Sequence, residues 1–361
     1  MSVTTPTSTE ASPARAVGRS RPAGLRERLR YSDRLRTWIP LLVAIIGLSA
    51  YASANSDLYL TSANLEVLMD SVAVLGLITV GMTLLLAAGQ LDLSVGAGAT
   101  LASVIGAKLI TGGASDPVAI LVMLALPAAI GVCVGIVVTT TGVQPFIVTL
   151  GLLSVLQSLS LIQTGQRPIS VGQRLVALDT TTFLGIPVSF WMFIGALLAG
   201  GAILHLTRLG RNAFAVGSNE EAAYLSGIPV ARVKIAMFGI SGLLVGAAGM
   251  LLLARLGAGD AAAGTGLELD AIAAAVIGGA SLLGGRGSMI GTFLGVLLLG
   301  VIANSLTLLD VSSFYQRLVL GALLILAVVA TAVAEKRRGS AESTADALRR
   351  LVGARRAPRP R

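Results

Sequence analysis

Charge is scarce in this chain. Only 12% of its 361 residues are Asp, Glu, Lys or Arg, against about 25% in a typical soluble domain. A single cysteine, Cys133, excludes an intrachain disulfide. It lies in the apolar run AAIGVCVGIVV, which suits a small buried hydrophobe better than a reactive thiol. One histidine, His205, and one cysteine assemble no metal site. The three lysines, Lys108, Lys234 and Lys336, each follow a residue other than glycine. A phosphate-cradling loop ends in Gly-Lys-Ser/Thr, so this chain holds no ATP by that device. The Gly-x-Ser-x-Gly elbow, the zinc-binding helix and clusters of His with carboxylates are also missing, which weakens any reading as a membrane enzyme. Aromatic residues make up 4% of the chain, too few for a dense sugar-stacking platform.

What fills the chain instead is apolar. Hydrophobic residues make up 54% and mean hydropathy is +0.84. A membrane-crossing helix needs about 20 such residues, because each adds about 1.5 Å toward a core about 30 Å thick. The runs predict an all-α polytopic membrane protein with about ten spans, some of them broken or re-entrant. The expected spans are near Trp38–Ser53, Leu65–Ala88, Ser94–Ile110, Val118–Val138, Phe146–Gln163, Phe190–Leu206, Ile235–Ala254, Leu269–Leu283, Met289–Leu306 and Leu318–Ala334. Residues 38–334 then form the transmembrane domain. Residues 1–37, rich in Ser, Thr, Pro and Arg, read as a disordered basic tail, and 335–361 as a second basic tail.

The net charge of +9 sits in those tails, with +5 in residues 1–37, +6 in 335–361 and −2 between them. That distribution fits cytoplasmic ends beside spans and attraction to anionic lipid rather than nucleic acid. An even span count puts both termini on one side. With that side cytoplasmic, 22 basic residues fall inside and 5 outside, although the inner loops alone divide 5 to 5.

Glycine is abundant at 43 residues. Gly131 with Gly135, Gly242 with Gly246, and Gly291 with Gly295 stand at small-xxx-small spacing, which lets helix backbones approach closely. The spacing points to helix packing, and some of these faces are compatible with a dimer interface. Among the acids near span ends are Glu66, Asp70, Glu268 and Asp270. In AAGQLDLSVGAG, Asp92 and Ser94 flank a helix start with Gln90 just before. Capping of that helix explains them, and so does a break lining a solute route. No chain of carboxylates or histidines suggests a proton relay.

The stretch SNEEAAYLSGIP interrupts the apolar pattern. Ser218 or Asn219 is placed to cap a helix, with Glu221 three residues after Ser218 as in a capping box. Glu220 and Glu221 suit the positive end of its dipole. Gly227 stops it and Pro229 blocks its continuation. A helix over Glu220–Ser226, about 10 Å long, is too short to cross a bilayer. With two acids and one large aliphatic it is also a poor surface-lying helix. A rigid docking knob fits better.

Glu221-Ala222-Ala223, three residues and Gly227 resemble the EAA-x-x-x-G signature of importer permeases of the ATP-binding cassette (ABC) class. The wider run Gly210–Leu256 is similar to the ribose-type monosaccharide permease family. So are GQLDLSVGAGATLASVIGA, QPFIVTLGLLSVLQSLSLIQTGQRPI and IAAAVIGGASLLGGRGSMIGTFLGVLLLGVIANSL, in that family's order and covering about Leu65–Ala334. The chain departs at Gln90, where the family often has glycine. The resemblance implies a non-enzymatic transport subunit in the bacterial inner membrane, importing a ribose- or xylose-like sugar. It implies two permease subunits, alike or different, a cytoplasmic ATPase that binds ATP and Mg, and an extracytoplasmic sugar-binding protein. No cofactor is then held by this chain itself. Ser218, Asn219, Glu220, Glu221, Ala222, Ala223 and Gly227 become the ATPase-coupling helix, with the two glutamates facing cationic groups of the ATPase. A permease of the same class for branched-chain amino acids or another small polar solute is the nearest alternative. An ion-coupled secondary transporter is the alternative from another class.

Overall fold

The computed structural model describes residues 23–172, 174–312, 314–326 and 329. The chain divides into residues 1–36 and a unit from Thr37 onward, and the membrane architecture lies in the second. In order, the elements are α1 (Ala23–Asn55), α2 (Ser62–Ala87), α3 (Val95–Thr111), α4 (Asp116–Thr141), α5 (Pro145–Thr164), β1 (Ile169–Ser170), α6 (Ala177–Thr180), β2 (Thr182–Phe183), β3 (Ile186–Pro187), α7 (Val188–Leu206), α8 (Arg208–Ser218), α9 (Glu220–Leu225), α10 (Val230–Leu256), β4 (Ala258–Gly259), α11 (Leu267–Ile277), α12 (Met289–Leu308) and α13 (Phe314–Leu326).

The punctuation is chemical. α4 and α5 each carry proline in the first turn, where a missing N–H costs nothing. Both end at a left-handed glycine, as does α10. Among the described residues seven helices are long and apolar enough to cross a membrane: α1 from Trp38, α2, α4, α5, α7, α10 and α12. The expected third span is α3, at 17 residues. The expected eighth is α11, only 11 residues, because Gly278 and Gly279 break it well before Leu283. The expected tenth is α13, and most of 327–334 lies outside the described residues. Within the N-terminal tail, residues 1–22 lie outside the description, while Ala23 onward is already helical. The C-terminal tail 335–361 is also outside it.

Most of α2, α10 and α12 is buried, but only a minority of α1, α4, α5 and α7. α10 packs against α2, α3 and α4. Its contact with α4 is antiparallel and built on glycine. A Cβ at Gly131 would overlap the Phe238 carbonyl oxygen, and one at Gly135 would lie 2.7 Å from Ile235 Cα. In the reverse sense, Gly242 meets the Pro127 carbonyl and Gly246 that of Met123. α12 joins α2 through the hydroxyls of Thr83 and Thr292 at 2.7 Å. Asn64 and Asn304 add a reciprocal amide pair at 3.1 and 2.8 Å. Such interhelical hydrogen bonds add modestly to the close packing, about 0.6 kcal/mol each.

The polar stretch after α5 forms a small cap. β1 pairs with β4, and β2 with β3. Arg174 donates to the carbonyls of Ile110 and Ala114 and pairs with Asp116 at 2.5 Å. From Gly257 to Gly266 the chain leaves the helical state and runs back along α3. There Gly264 N–H donates to Thr100 Oγ1 at 3.0 Å, and Gln157 Nε2 donates to the Ala261 carbonyl at 2.7 Å.

Candidate functional site

The helix expected from SNEEAAYLSGIP is α9, six residues and about 9 Å long. Its cap is Asn219, whose side-chain oxygen accepts from Ala222 N–H at 2.8 Å. Ser218 is not the cap. Its hydroxyl donates to the Phe214 carbonyl at 2.7 Å and closes α8 instead. The capping box with Glu221 is therefore absent among the described residues, because its serine is already used. At the other end Gly227 takes φ +80°, and Ile228 N–H reaches back to the Ala223 carbonyl at 3.1 Å. That left-handed turn satisfies carbonyls the helix would leave open.

Glu220 and Glu221 have different surroundings. Lys234 Nζ on α10 lies 2.7 and 2.8 Å from the two carboxylate oxygens of Glu220. Lys234 is buried, so the pair ties α9 to the most heavily packed span. The expectation that both glutamates face outward cations thus changes for Glu220, whose charge is satisfied within the chain. Glu221 is exposed. Ala222 is exposed and Ala223 is buried beneath the helix. Beside them Tyr224 and Leu225 are 71% and 78% exposed, two large side chains presented at the tip of a fixed helix. The sequence counts Leu225 only as the one large aliphatic of the helix and gives Tyr224 no role. Their signal was position: they fill the x places between the EAA triplet and Gly227.

α8 was also unexpected. It is an amphipathic helix capped by Thr207, which accepts from Gly210 N–H at 3.2 Å. Its end forms a knot with two other elements. A Cβ at Gly217 would lie 2.5 Å from Gly285 N and 2.9 Å from Gly89 N. One at Gly284 would lie 2.8 Å from Gly89 Cα. Gly285 N–H donates to the Ala87 carbonyl at 3.2 Å. Backbones from the end of α2, the end of α8 and the α11–α12 connection therefore touch directly next to α9. A cavity of about 780 Å³ opens beside them, between α9, the start of α10, Gly89–Gln90 and the α4–α5 connection.

Gln90 and Asp92 are buried. Gln90 Nε2 donates to the carbonyls of Ala88 and Gly89. One Asp92 oxygen accepts from Ser94 N–H at 2.8 Å and Ser94 Oγ at 2.6 Å. The carboxylate thus holds the turn that starts α3, and the space next to it is only about 20 Å³. The third glycine pair meets α11: Gly291 abuts the Gly278 carbonyl and Gly295 that of Ala274. All six paired glycines face backbone of this same chain. No group of three or more metal-ligating side chains occurs among the described residues.

A repeat also links the two broken regions. Gly81-Met82-Thr83-Leu84-Leu85-Leu86-Ala87 closes α2 and Leu91-Asp92-Leu93-Ser94 precedes α3. Gly249-Met250-Leu251-Leu252-Leu253-Ala254 lies near the end of α10, and Leu267-Glu268-Leu269-Asp270 begins α11. Each time a long buried helix is followed by irregular chain and a shorter helix, the layout seen where transporters place their sites.

Known proteins resemble this chain over most of its length. The family model described as "Branched-chain amino acid transport system / permease component" matches residues 64–328. The ribose import permease protein RbsC of Escherichia coli (strain K12) is 40% identical over 293 residues, covering 80% of this chain and 91% of that protein. Its namesake from Bacillus subtilis (strain 168) is 38% identical over 300 residues, 82% and 92% of the two chains. The L-arabinose ABC transporter permease protein AraH of Azospirillum brasilense is 36% identical over 290 residues, 80% and 86% of the two chains. No solved structure matches.

Proposed function

We propose, from the premise that the chain belongs to this family of transport-system permease components, that it is the membrane subunit of an ABC importer for a monosaccharide. The observation that carries the reading is 40% identity to a ribose import permease over nine-tenths of that protein's length. The geometry of α9 supports it. A capped, clamped helix with an exposed tip is the kind of part that receives motion from another protein. A nucleotide can shift an inward/outward equilibrium only through an element whose contacts differ between the two states. Here the ATPase, holding ATP and Mg, docks on Glu221, Ala222, Tyr224 and Leu225. Its closure moves α9, and the Glu220–Lys234 pair carries that motion into α10. The glycine knot carries it into α2 and the α11–α12 connection.

In this reading the chain crosses the bacterial inner membrane about ten times, with α3, α11 and α13 as short or broken crossings and both termini cytoplasmic. A second permease subunit completes the pathway, and an extracytoplasmic binding protein delivers the sugar.

The test is uptake by vesicles carrying the reconstituted chain. Ribose, xylose or a related pentose should enter only with the ATPase, ATP and binding protein present. Uptake driven by an ion gradient through the chain alone would refute the importer. The description of the matching family favours one second reading, transport of branched-chain amino acids. Leucine that competes for uptake where pentoses do not would establish it.

A further inference from the structure

α5 is an outer helix whose exposed sides differ. One side carries Val148, Leu152 and Val155, which with α4 residues including Cys133 form an apolar groove of about 470 Å³. That side suits lipid chains. The other carries Gly151, Ser154 and Ser158, one helical turn apart and all exposed, with the exposed Ile147 and Ile162 one turn beyond at either end. Some serines in these helices return their hydroxyls to a carbonyl four residues back, Ser71 to Val67 and Ser160 to Leu156, both at 2.9 Å, while Ser103, Ser241 and Ser305 are buried without a partner among the described residues. Ser154 and Ser158 make no hydrogen bond among the described residues. Ser154 lies at the middle of α5. Unpaired hydroxyls turned toward hydrocarbon at that depth are unfavourable, while toward water they cost nothing.

A second element brings polar groups to the same level. The middle of α5 rests on α3 with Leu156 facing Gly98. The irregular chain before α11 rests on the neighbouring turns of α3, where Gly264 meets Thr100 and the Glu268 carboxylate abuts Gly96. Gln157 bridges the two through its bond to the Ala261 carbonyl. Thr265 is exposed, and Glu268 is half-exposed with no cation paired to it among the described residues. Irregular backbone at bilayer depth occurs where it is buried in protein or lines a water-filled cavity, and an ionisable group there marks a solute path.

We propose that Ser154, Gln157, Ser158, Thr265 and Glu268 form the wall along which the transported solute passes. This rests on the reading of the chain as a monosaccharide permease. The chemistry suits an uncharged polyhydroxylated solute. Serine and threonine hydroxyls both give and accept hydrogen bonds, and a carboxylate accepts from neighbouring sugar hydroxyls. Five groups on one side hold a sugar weakly, as transit requires, since capture belongs to the binding protein. A second permease subunit supplies the opposite wall.

The experiment places single cysteines in a Cys133→Ala background of the complete, reconstituted transporter. Ser154→Cys and Ser158→Cys test the wall, and Val155→Cys on the groove side is the control. The probe is the membrane-impermeant reagent 2-sulfonatoethyl methanethiosulfonate, which reacts with thiolates in water. The wall positions should be labelled, with uptake lost on labelling and slowed labelling during sugar transport. Val155→Cys should stay unlabelled. Wall positions that label no faster than Val155→Cys overturn the proposal, as does labelling that leaves uptake intact. If the unlabelled transporter moves leucine rather than pentoses, the substrate reading fails separately. Labelling that blocks leucine uptake then keeps the wall and reassigns its solute. Glu268→Gln should slow sugar uptake about tenfold, the loss of one hydrogen bond to a charged group, with unchanged thermal midpoint and ATPase pull-down. Unchanged uptake removes Glu268 from the wall.

Discussion

The α4–α10 seam and α9 are held by opposite means. At the seam nothing polar is needed. Gly131, Gly135, Gly242 and Gly246 let two backbones touch, and dispersion over that close surface does the holding. At α9 the backbone contacts are few and polar side chains fix the position: Asn219 at the cap, Ser226 Oγ to the Ala222 carbonyl at 2.7 Å, and Lys234 on Glu220. In hydrocarbon there is no hydrophobic gain from bringing helices together, so fit decides. In water a six-residue helix is unstable alone, so caps and an ion pair decide. The seam is therefore intolerant of added atoms, and α9 of removed ones.

The largest break in that contrast should come from Gly242→Leu, which drives a side chain into the Pro127 carbonyl. We expect a loss of about 3 kcal/mol or more, read as a collapsed thermal midpoint or no folded protein in detergent. Gly217→Val should come next. It wedges apart the knot of Gly89, Gly284 and Gly285, and we expect ATPase binding to persist while sugar uptake per ATP falls severalfold. The clamp should respond unequally to its two halves. Glu220→Gln leaves the buried Lys234 without a counter-charge and should cost roughly 2 kcal/mol. Lys234→Met frees a carboxylate that water can reach and should cost less, and the double variant should recover part of the loss. Equal costs, read by thermal unfolding, would mean that the pair contributes by charge alone and not by burial. The smallest effect is expected from Asn219→Ala, about 1 kcal/mol for a lost cap, read as weaker ATPase pull-down. A comparable loss from Ser218→Ala would reverse the assignment of the cap.

Much of this was legible beforehand because it is local. Length and hydropathy located the seven long helices. Proline and glycine marked their ends, and the EAA triplet with Gly227 located α9 to within a residue. Three things were not legible, each for a physical reason. α11 is short because two glycines and an irregular approach leave it half a span, and a hydropathy window averages across both. Ser218 and Asn219 were equivalent in sequence, and only the carbonyl of Phe214, freed by the unexpected α8, separates them. Asp92 and Ser94 suited capping first and a solute route second, yet neither side chain bonds an N–H within α3. The bonds of Asp92 to Ser94 and its burial favour the turn, and the exposed polar side of α5 is the better candidate for the route.

The sequence by itself determined a polytopic membrane protein, because hydrophobic length is a sum over each run of the chain. It also determined that a short capped helix must lie between the expected spans Phe190–Leu206 and Ile235–Ala254. Only the tertiary structure decided which of the two exposed glutamates is paired within the chain. Lys234 lies fourteen positions from Glu220 along the chain, too far for helical periodicity to relate them. It likewise decided which backbone each glycine meets, since a missing side chain permits close approach without naming the partner.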